Sequence, residues 1–331
     1  MKPLCGAIAL ALLACAPSVQ AAEVAVTSTQ IDSFGDTGLD GRLGQLIFRG
    51  GLAMVAQDDT FGGLSGLALT GEDQRVVFAS DRGNFVAGQL AYDDADRLFG
   101  LIGVTVEPMQ NSKGAPLPRQ YAKDAEGIDT LYRNGVPAGV RVSFEHLTRV
   151  ADFALTDGVP GGAAREVSIP DWLTDLRTNQ SLESVCVAPP SSPIAGSTLL
   201  LTEDRDDGAG NHSGWLIGGD DKGAISYKAT PGIYPSDCAF LPNGDLLVLE
   251  RGVNLLTFSM ALRRIAAADV RQGNVMVGEL LLAANGSAID NMEALAVHVA
   301  PGGETRILIG SDNNFNDWER SLLLEFALVD Q

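Results

Sequence analysis

Short apolar segments recur along the chain with a two-residue alternation, and each has a Ser or Glu at its start. Their length and their content of Val, Leu and Ile predict β-strands rather than helices. The opening residues are spaced by 61, 57, 53 and 57 positions. The five segments are "LSGLAL" at Ser65, "AEGIDTL" at Glu126, "LESVCV" at Glu183, "PSDCAF" at Ser236 and "MEALAV" at Glu293.

A second apolar strand follows each of these segments and ends in a carboxylate. In the fourth unit "LPNGD" joins the two strands and is typical of a hairpin turn. The start of one strand and the end of the next lie side by side in an antiparallel hairpin, so each unit collects polar groups at one end. The five terminal acids are Asp81, Glu145, Glu203, Glu250 and Asp312.

A repeat of this length with up to four strands predicts an all-β protein, a β-propeller with about five four-stranded blades. A weak further repeat would make six. Outer strands are predicted in "AGQLAYDD" with "FGLIGVTV" and in "LLTFSM" with "VMVGELLL". The last unit ends after its third strand, "SLLLEFAL", and "QLIFRGGLAMV" precedes the first unit. We therefore expect this N-terminal strand to complete the last blade and remove its exposed edge. A short helix is expected in "IPDWLTDLRTN".

The N-terminus has the pattern of a secretory signal peptide. Lys2 precedes the apolar run "LCGAIALALLACA", and small residues allow cleavage after Ala21. This predicts a signal peptide over 1–21, one propeller domain over 22–331, and a periplasmic or secreted protein. "LLAC" at Cys15 offers a lipoprotein anchor as the alternative. No later stretch has 18 consecutive apolar residues, so no transmembrane segment is expected.

The charge of the chain excludes some partners. Its 331 residues carry a net charge of −19, which argues against nucleic acid because nothing basic offsets phosphate repulsion. The same charge is compatible with bound cations, and a monomer acting on a small molecule is expected. Cys186 and Cys238 remain after the signal region, either as a disulfide or as two buried thiols.

In a propeller the inner strands run along the central channel and start at one mouth of it. Nine carboxylates are therefore expected around that mouth, and close carboxylates repel unless a cation or protons join them. Oxygen ligands without a cysteine and histidine cluster favour Ca²⁺ over Mg²⁺. The alternative is that the acids cap blade ends by binding backbone amides. His146 adjoins Glu145 and is a candidate acid or base.

The ordered set "GGLSGLAL…ASDRG", "DAEGI", "NQSLESV", "PSDCAFLPNGDLLVLERG" and "DNMEALAV…LIGSDNNFN…SLLLEFAL" resembles the phytase-like esterase family of exported bacterial proteins. The resemblance implies a β-propeller rich in Glu and Asp, with phosphoesterase or phosphodiesterase activity. By position, it implies inner-strand acids at Glu126, Glu183 and Glu293. It also matches the pairs Asp81-Arg82, Glu250-Arg251 and Asp312-Asn313.

The chain departs from the family pattern at "PSDCAF", where Ser236-Asp237 stands for Glu-Gly, and at "GGLSGL", where serine replaces the acid. It also lacks a lysine-rich patch that would hold several phosphates. A phosphoester smaller than phytate is therefore the expected substrate.

These observations predict a Ca²⁺-dependent hydrolase of phosphoesters or other esters. The expected metal ligands are Glu126, Glu183, Glu293, Asp81 and Asp312. The expected catalytic residues are Glu126, Glu293, Asp237 and Glu250, and the expected substrate-binding residues are Arg82, Arg251 and His146. Two alternatives stay open: a calcium-dependent propeller lactonase or carboxylesterase, and a non-catalytic calcium-stabilised propeller that binds a ligand.

Overall fold

The computed structural model describes residues 21–71, 73–178, 180–219, 221–254 and 257–329. The predicted signal peptide and the anchor at Cys15 lie outside these residues, apart from Ala21. The described residues form 26 strands and four one-turn helices. The helices are α1 (Gln120–Lys123) and α2 (Asp171–Thr174), with 3₁₀ turns at Ala267–Asp269 and Gly286–Ala288.

The strands, in chain order, are β1 (Ala22–Glu23), β2 (Val26–Ile31), β3 (Ser33–Phe34), β4 (Thr37–Gly38), β5 (Arg42–Leu43), β6 (Leu46–Ala56), β7 (Leu64–Leu69), β8 (Arg75–Ser80), β9 (Asn84–Tyr92), β10 (Leu98–Pro108), β11 (Ala125–Arg133), β12 (Val136–Phe144), β13 (Arg149–Thr156), β14 (Val159–Val167), β15 (Leu182–Val187), β16 (Ser197–Asp206), β17 (His212–Gly218), β18 (Gly223–Tyr227), β19 (Tyr234–Phe240), β20 (Leu246–Asn254), β21 (Thr257–Ile265), β22 (Val275–Met276), β23 (Glu279–Asn285), β24 (Asn291–Val299), β25 (Thr305–Asp312) and β26 (Ser321–Leu328).

Five sheets, antiparallel except for the short β18–β22 pair, form the blades of a propeller, which confirms the predicted fold and the count of five. In strand order from the channel outward they are β7-β8-β9-β10-β1, β11-β12-β13-β14, β15-β16-β17-β18-β22, β19-β20-β21-β23 and β24-β25-β26-β6-β2. Each inner strand contacts the inner strands of the two neighbouring blades, and β24 contacts β7. The five blades therefore close into a ring.

The ring closes as the sequence predicts. β6 lies between β26 and β2 as the fourth strand of blade five, with Leu323 opposite Leu52. β2 then adds a fifth strand to blade five, and β1 pairs with β10 of blade one. The sequence does not show that these short leading strands connect the first and last blades.

One predicted outer strand is divided between two blades. Val275–Met276 pairs in parallel with β18 of blade three, whereas Glu279–Asn285 pairs with β21 of blade four. The physical reason is burial: Met276 is fully buried in the apolar cluster between these blades, beside Ile225 and Val248. The predicted short helix is present as α2. No helix among the described residues is long and apolar enough to cross a membrane.

Apolar side chains fill all five junctions between blades, one cluster per junction. Leu67 and Leu323 belong to the cluster between blades one and five, and Val77 and Val140 to the one between blades one and two. The other three clusters lie at the remaining junctions. Each large side chain buried there contributes about 1.5–3 kcal/mol to folding. The core is thus distributed around the channel, which stays available for polar groups at its end.

Cys186 and Cys238 form a disulfide, with a Cα–Cα distance of 6.0 Å. It joins the inner strands β15 and β19 across the junction of blades three and four. This decides between the two alternatives that the sequence leaves open.

We predict that replacing both cysteines, as Cys186→Ala/Cys238→Ala, lowers the free energy of unfolding. The bond spans 52 residues, and the loop-entropy model gives a loss of about 4 kcal/mol for a loop of this size. Denaturant titration measures the change. Reduced wild-type protein should unfold at the same midpoint as the double variant, and reductant should not shift the variant further. Equal stability of oxidised wild type and variant would contradict the prediction.

Candidate functional site

A β-bulge near the start of every inner strand turns one extra residue out of the ladder. The pairing shifts by one residue between Leu64 and Gly66, and equivalently in the other four blades. Bulges re-aim side chains and are frequent beside functional sites. The residues in the shifted segments include Ser65, Glu126, Glu183, Ser236 and Glu293.

The pairing also defines an equivalent residue on each second strand. The inner-strand residue before the bulge pairs with Ser80, Phe144, Thr202, Glu250 and Ser311 in the five blades. The residue that follows each of these partners is Asp81, Glu145, Glu203, Arg251 or Asp312. Blade four thus has an arginine where the other blades have an acid. Comparison of the internal repeats in the sequence had put Glu250 in that set, one residue before the correct position.

Two predicted mouth residues bind elsewhere. Glu250 is fully buried and accepts hydrogen bonds from the Tyr227 hydroxyl at 2.9 Å and from Arg263 Nε at 2.7 Å. Both Asp237 oxygens accept backbone amides, that of Cys238 at 2.8 Å and that of Leu295 at 2.7 Å. These contacts tie neighbouring blades together. They leave the predicted catalytic roles of both residues without support from their placement.

Asp124 lies beside the predicted site residues, although it was not among the candidates predicted from the sequence. Its Oδ2 lies 2.5 Å from His146 Nδ1, and its carbonyl accepts the Glu145 amide at 2.9 Å. His146 adopts a left-handed backbone with φ of 50°, which lets the chain turn sharply after Glu145. The available signal was the motif "DAEGI", in which Asp124 stands two residues before Glu126.

Eight carboxyl groups interact electrostatically around the channel mouth, and we call them the acidic cluster. Five are buried and three are partly buried. Two pairs share a side-chain hydrogen bond, Glu145 with Glu183 and Glu293 with Asp312. Such a bond requires a proton on one partner. The members are Asp81, Asp124, Glu126, Glu145, Glu183, Glu203, Glu293 and Asp312.

Arg251 lies among these acids as an internal counter-charge. Its Nη2 is 3.3 Å from Glu203 Oε1, and its Nε is 3.1 Å from Glu293 Oε1. The second contact is an ion pair without hydrogen-bond geometry, since Nε lacks a hydrogen-bond partner. Burial alone would lower the pKa of Arg251, but the surrounding carboxylates, Glu293 first, raise it. To bind a substrate as predicted, Arg251 would therefore have to exchange these contacts with Glu203 and Glu293 for contacts with the substrate.

The acidic cluster holds more carboxyl groups than its one arginine neutralises. Burial, followed by repulsion from Asp124, raises the pKa of Asp81 to about 7. Burial, followed by repulsion from Glu126, raises the pKa of Glu145 to about 8. Burial is also the main reason why the pKa values of Glu126, Glu183 and Asp312 lie well above the ordinary range. At neutral pH the site therefore takes up protons or a cation.

The donor atoms fit a divalent cation. Single ligand atoms of Asp124, Glu145 and His146 lie within 4.8 Å of one another. Asp81 Oδ1 is buried without a hydrogen-bond partner. Carboxylate oxygens suit Ca²⁺, Mg²⁺ or Mn²⁺, whereas the imidazole also suits transition metals.

Arg82 stands at the edge of the acidic cluster, next to Asp81. Its guanidinium lies 3.3 Å from the centre of the Phe315 ring, a cation–π contact, and Nη1 donates to the Asp59 carbonyl at 3.3 Å. Gly63 makes this packing feasible: its φ is 61°, and a Cβ there would meet Asp81 Oδ1 at 2.2 Å. Apart from its place in "SDNNFND", nothing in the sequence indicated that Phe315 would contact Arg82.

We predict that the metal-free protein loses stability as the pH rises from about 5 to 8. Asp81 and Glu145 have folded-state pKa values of about 7 and about 8, above their ordinary values. The folded protein therefore binds more protons than the unfolded chain in this window, and stability falls with increasing pH. Melting temperatures in EDTA measure the slope, which Glu145→Gln should reduce. Glu304→Gln is the control, because ion pairs lower the pKa of that surface carboxyl. Stability that rises across the window would contradict the prediction.

Comparison with known proteins gives a family match and distant structural likenesses. A search of curated proteins finds no match. A glucose dehydrogenase structure is 13% identical, with 81% of this chain and 98% of that chain covered and a TM-score of 0.42. The catalytic domain of the Coprinopsis cinerea GH62 α-L-arabinofuranosidase is 12% identical, with coverages of 85% and 97% and a TM-score of 0.49. A putative 6-phosphogluconolactonase from Bacteroides uniformis is 11% identical, with coverages of 90% and 95% and a TM-score of 0.37.

These identities are too low to say anything about activity. The family model is specific: the model described as "Phytase-like: Esterase-like activity of phytase" matches residues 59–315. This span contains all five inner strands and the whole acidic cluster. The chain therefore belongs to the phytase-like family of propeller proteins.

Proposed function

We propose that the protein is a hydrolase of small phosphoesters that depends on a divalent cation, with Ca²⁺ favoured, and that it works at the acidic cluster. One observation carries the proposal: eight converging carboxyl groups have one arginine, Arg251, in ion contact with them among the described residues, and the only other basic side chain within that distance is the His146 imidazole at Asp124. Turn capping does not require such a concentration of acids. A cation-binding site does, because the attraction to a divalent ion offsets both burial and mutual repulsion.

The ligands proposed for the cation come from blades one, two, three and five. Asp81, Glu126, Glu293 and Asp312 interact with one another, and Asp124 and Glu145 form the adjoining group, next to His146. Glu183 joins the second group through its hydrogen bond to Glu145. When bound, the cation would supply Lewis-acid chemistry, which polarises a phosphoryl oxygen and lowers the pKa of water.

The residues of the chain would orient the substrate and move its protons. His146 contacts Asp124 through Nδ1, which leaves Nε2 to exchange a proton with the leaving-group oxygen or an attacking water. The imidazole is 40% exposed, so substrate can reach it. Arg82, fixed on Phe315, would bind the anionic phosphoryl group from the rim. Arg251 would hold the Glu203 and Glu293 side chains in place through its ion contacts with both.

We also propose that the protein is located in the cell envelope or is secreted. The sequence pattern of residues 1–21 supports export, and the disulfide between Cys186 and Cys238 suits an oxidising compartment. We propose residues 22–331 as the mature domain.

We predict that the mature protein hydrolyses bis-p-nitrophenyl phosphate or p-nitrophenyl phosphate with Ca²⁺ and loses this activity in EDTA. Glu126→Gln and Glu293→Gln should each lower kcat/KM by about 100-fold or more, because each removes a proposed ligand. Asp94→Asn, in an exposed turn, is the matched control and should retain wild-type rates.

Other substrates distinguish the remaining possibilities. Calcium-dependent turnover of p-nitrophenyl butyrate or a lactone, without turnover of the phosphoesters, would replace the phosphoesterase proposal with the esterase or lactonase alternative. A melting temperature raised by Ca²⁺ with every substrate intact would indicate a binding propeller. Activity that survives EDTA and both glutamine variants would overturn the site.

Asp237 and Glu250 make their hydrogen bonds across the junctions between blades. We predict that Asp237→Asn and Glu250→Gln lower the melting temperature, because each replaces a buried acceptor oxygen with an amide group that faces a hydrogen-bond donor. The kcat of the folded fraction should stay within about threefold of wild type, whereas His146→Ala should lower kcat by about 100-fold without comparable destabilisation. Parallel melting curves and kinetics test this. A loss of kcat in Glu250→Gln at full stability would restore its predicted catalytic role.

A further inference from the structure

The opposite end of the central channel contains a cavity of about 720 Å³. Segments from the inner strands of all five blades line it, and the acidic cluster lies at the other ends of the same strands. Its volume falls in the range of small-molecule sites. The lining segments include residues 67–69, 128–130, 187–190, 238–240 and 295–297.

The cavity wall is mainly apolar and has a single ionisable carboxyl group. Leu69, Ile128 and Phe240 are among its apolar side chains, and the Tyr132 side chain stands beside them with 60% exposure. Among the described residues that line it, none is Lys, Arg or His. An anionic ligand would therefore meet only a negative group in this cavity.

That carboxyl group, Asp129, has no ion-pair partner among the described residues. Its oxygens accept the amides of Thr130 at 2.6 Å and Val187 at 2.7 Å. Arg141, the nearest cation acting on it, is bound instead to Asp152 at 2.7 Å and to Thr198 at 2.7 Å. A carboxylate has about four acceptor sites, so Asp129 keeps capacity for a further donor.

Two features fix the shape of the cavity before any ligand arrives. The disulfide between Cys186 and Cys238 joins two of the lining strands. Asp129 itself connects β11 to β15 through the Val187 amide, and Asp237 connects β19 to β24 in the same manner. A rigid cavity loses little conformational entropy on binding, which favours affinity.

We propose that this cavity binds an organic cation with an apolar body, with its ammonium group at Asp129 and Tyr132 and its body against the aliphatic wall. A carboxylate supplies the counter-charge, and an aromatic face adds a cation–π contact. This site is separate from the acidic cluster: Asp129 is three residues along β11 from Glu126, about 10 Å. The proposal does not depend on hydrolysis at the mouth.

The experiment compares three ligands of similar shape and different charge: 3-phenylpropylamine, 3-phenylpropanol and 3-phenylpropionate. Isothermal titration with the Ca²⁺-loaded mature protein measures each affinity, with saturating Ca²⁺ limiting binding of the amine at the acidic cluster. We expect the amine to bind at least tenfold more tightly than the alcohol, and the carboxylate to bind most weakly. Asp129→Asn should remove the advantage of the amine and leave the alcohol within about twofold.

A second variant tests the location without altering Asp129. Ala195 is exposed and lines the cavity, so Ala195→Trp should fill the entrance and abolish binding of both amine and alcohol while the melting temperature stays unchanged. Glu126→Gln, at the mouth, should leave both affinities unchanged. Equal affinity for all three ligands, no binding of the amine, or amine binding lost in Glu126→Gln but kept in Ala195→Trp would each overturn the proposal.

Discussion

Repulsion between carboxylates in a partly dry channel mouth is the constraint on which the rest of this structure depends. Two such groups about 4 Å apart repel by roughly 4 kcal/mol at a surface-like dielectric, and the acidic cluster brings eight groups together. Only a rigid frame can hold them. The frame here is a ring in which apolar clusters fill all five junctions, so the blades cannot spread to relieve the charge. The repulsion between the carboxylates must instead be reduced by bound protons, by Arg251 or by a bound cation.

At the junctions between blades, three of the buried carboxylates are stabilised differently, because each of these is paired with an arginine. A buried acid on one strand binds an arginine on the adjacent strand, and a hydroxyl of the neighbouring blade completes the contact in two cases: Glu250 with Arg263 and Tyr227, and Glu325 with Arg306 and Tyr92. Asp152 and Arg141 form a third pair, with Thr198 bound to the arginine. Buried charged groups that have a partner stabilise the junctions between blades, whereas buried carboxyl groups in excess of their partners lie at the channel mouth. This contrast separates Glu250, which binds Arg263, from Glu145, which has no cationic partner among the described residues, more clearly than their similar places in the sequence do.

Much of the frame could be predicted from the sequence because strand period and repeat length are properties of the chain itself. The five inner strands and the closing role of β6 follow from them. The membership of the acidic cluster was predicted less well, because an error of one residue in matching the repeats selects a side chain on the other face of the strand. That error selected Glu250 in place of Arg251. Asp124 could not be found from the strand pattern because it precedes its strand. The contact between Phe315 and Arg82 could not be found either, because it forms only when blades five and one close the ring. The division of 275–285 between two blades also depends on tertiary packing at Met276.

The position of β6 has a consequence for how the molecule assembles. β6 belongs to residues 46–56, yet its partner β26 is the last strand of the described chain. During synthesis the first blade can form early, but the edge of β6 that faces β26 stays unpaired until residues 321–328 have been made. An unpaired edge is a template for association with other chains. This edge of β6 must therefore stay protected until β26 has been made, and deletion of β26 would leave it exposed.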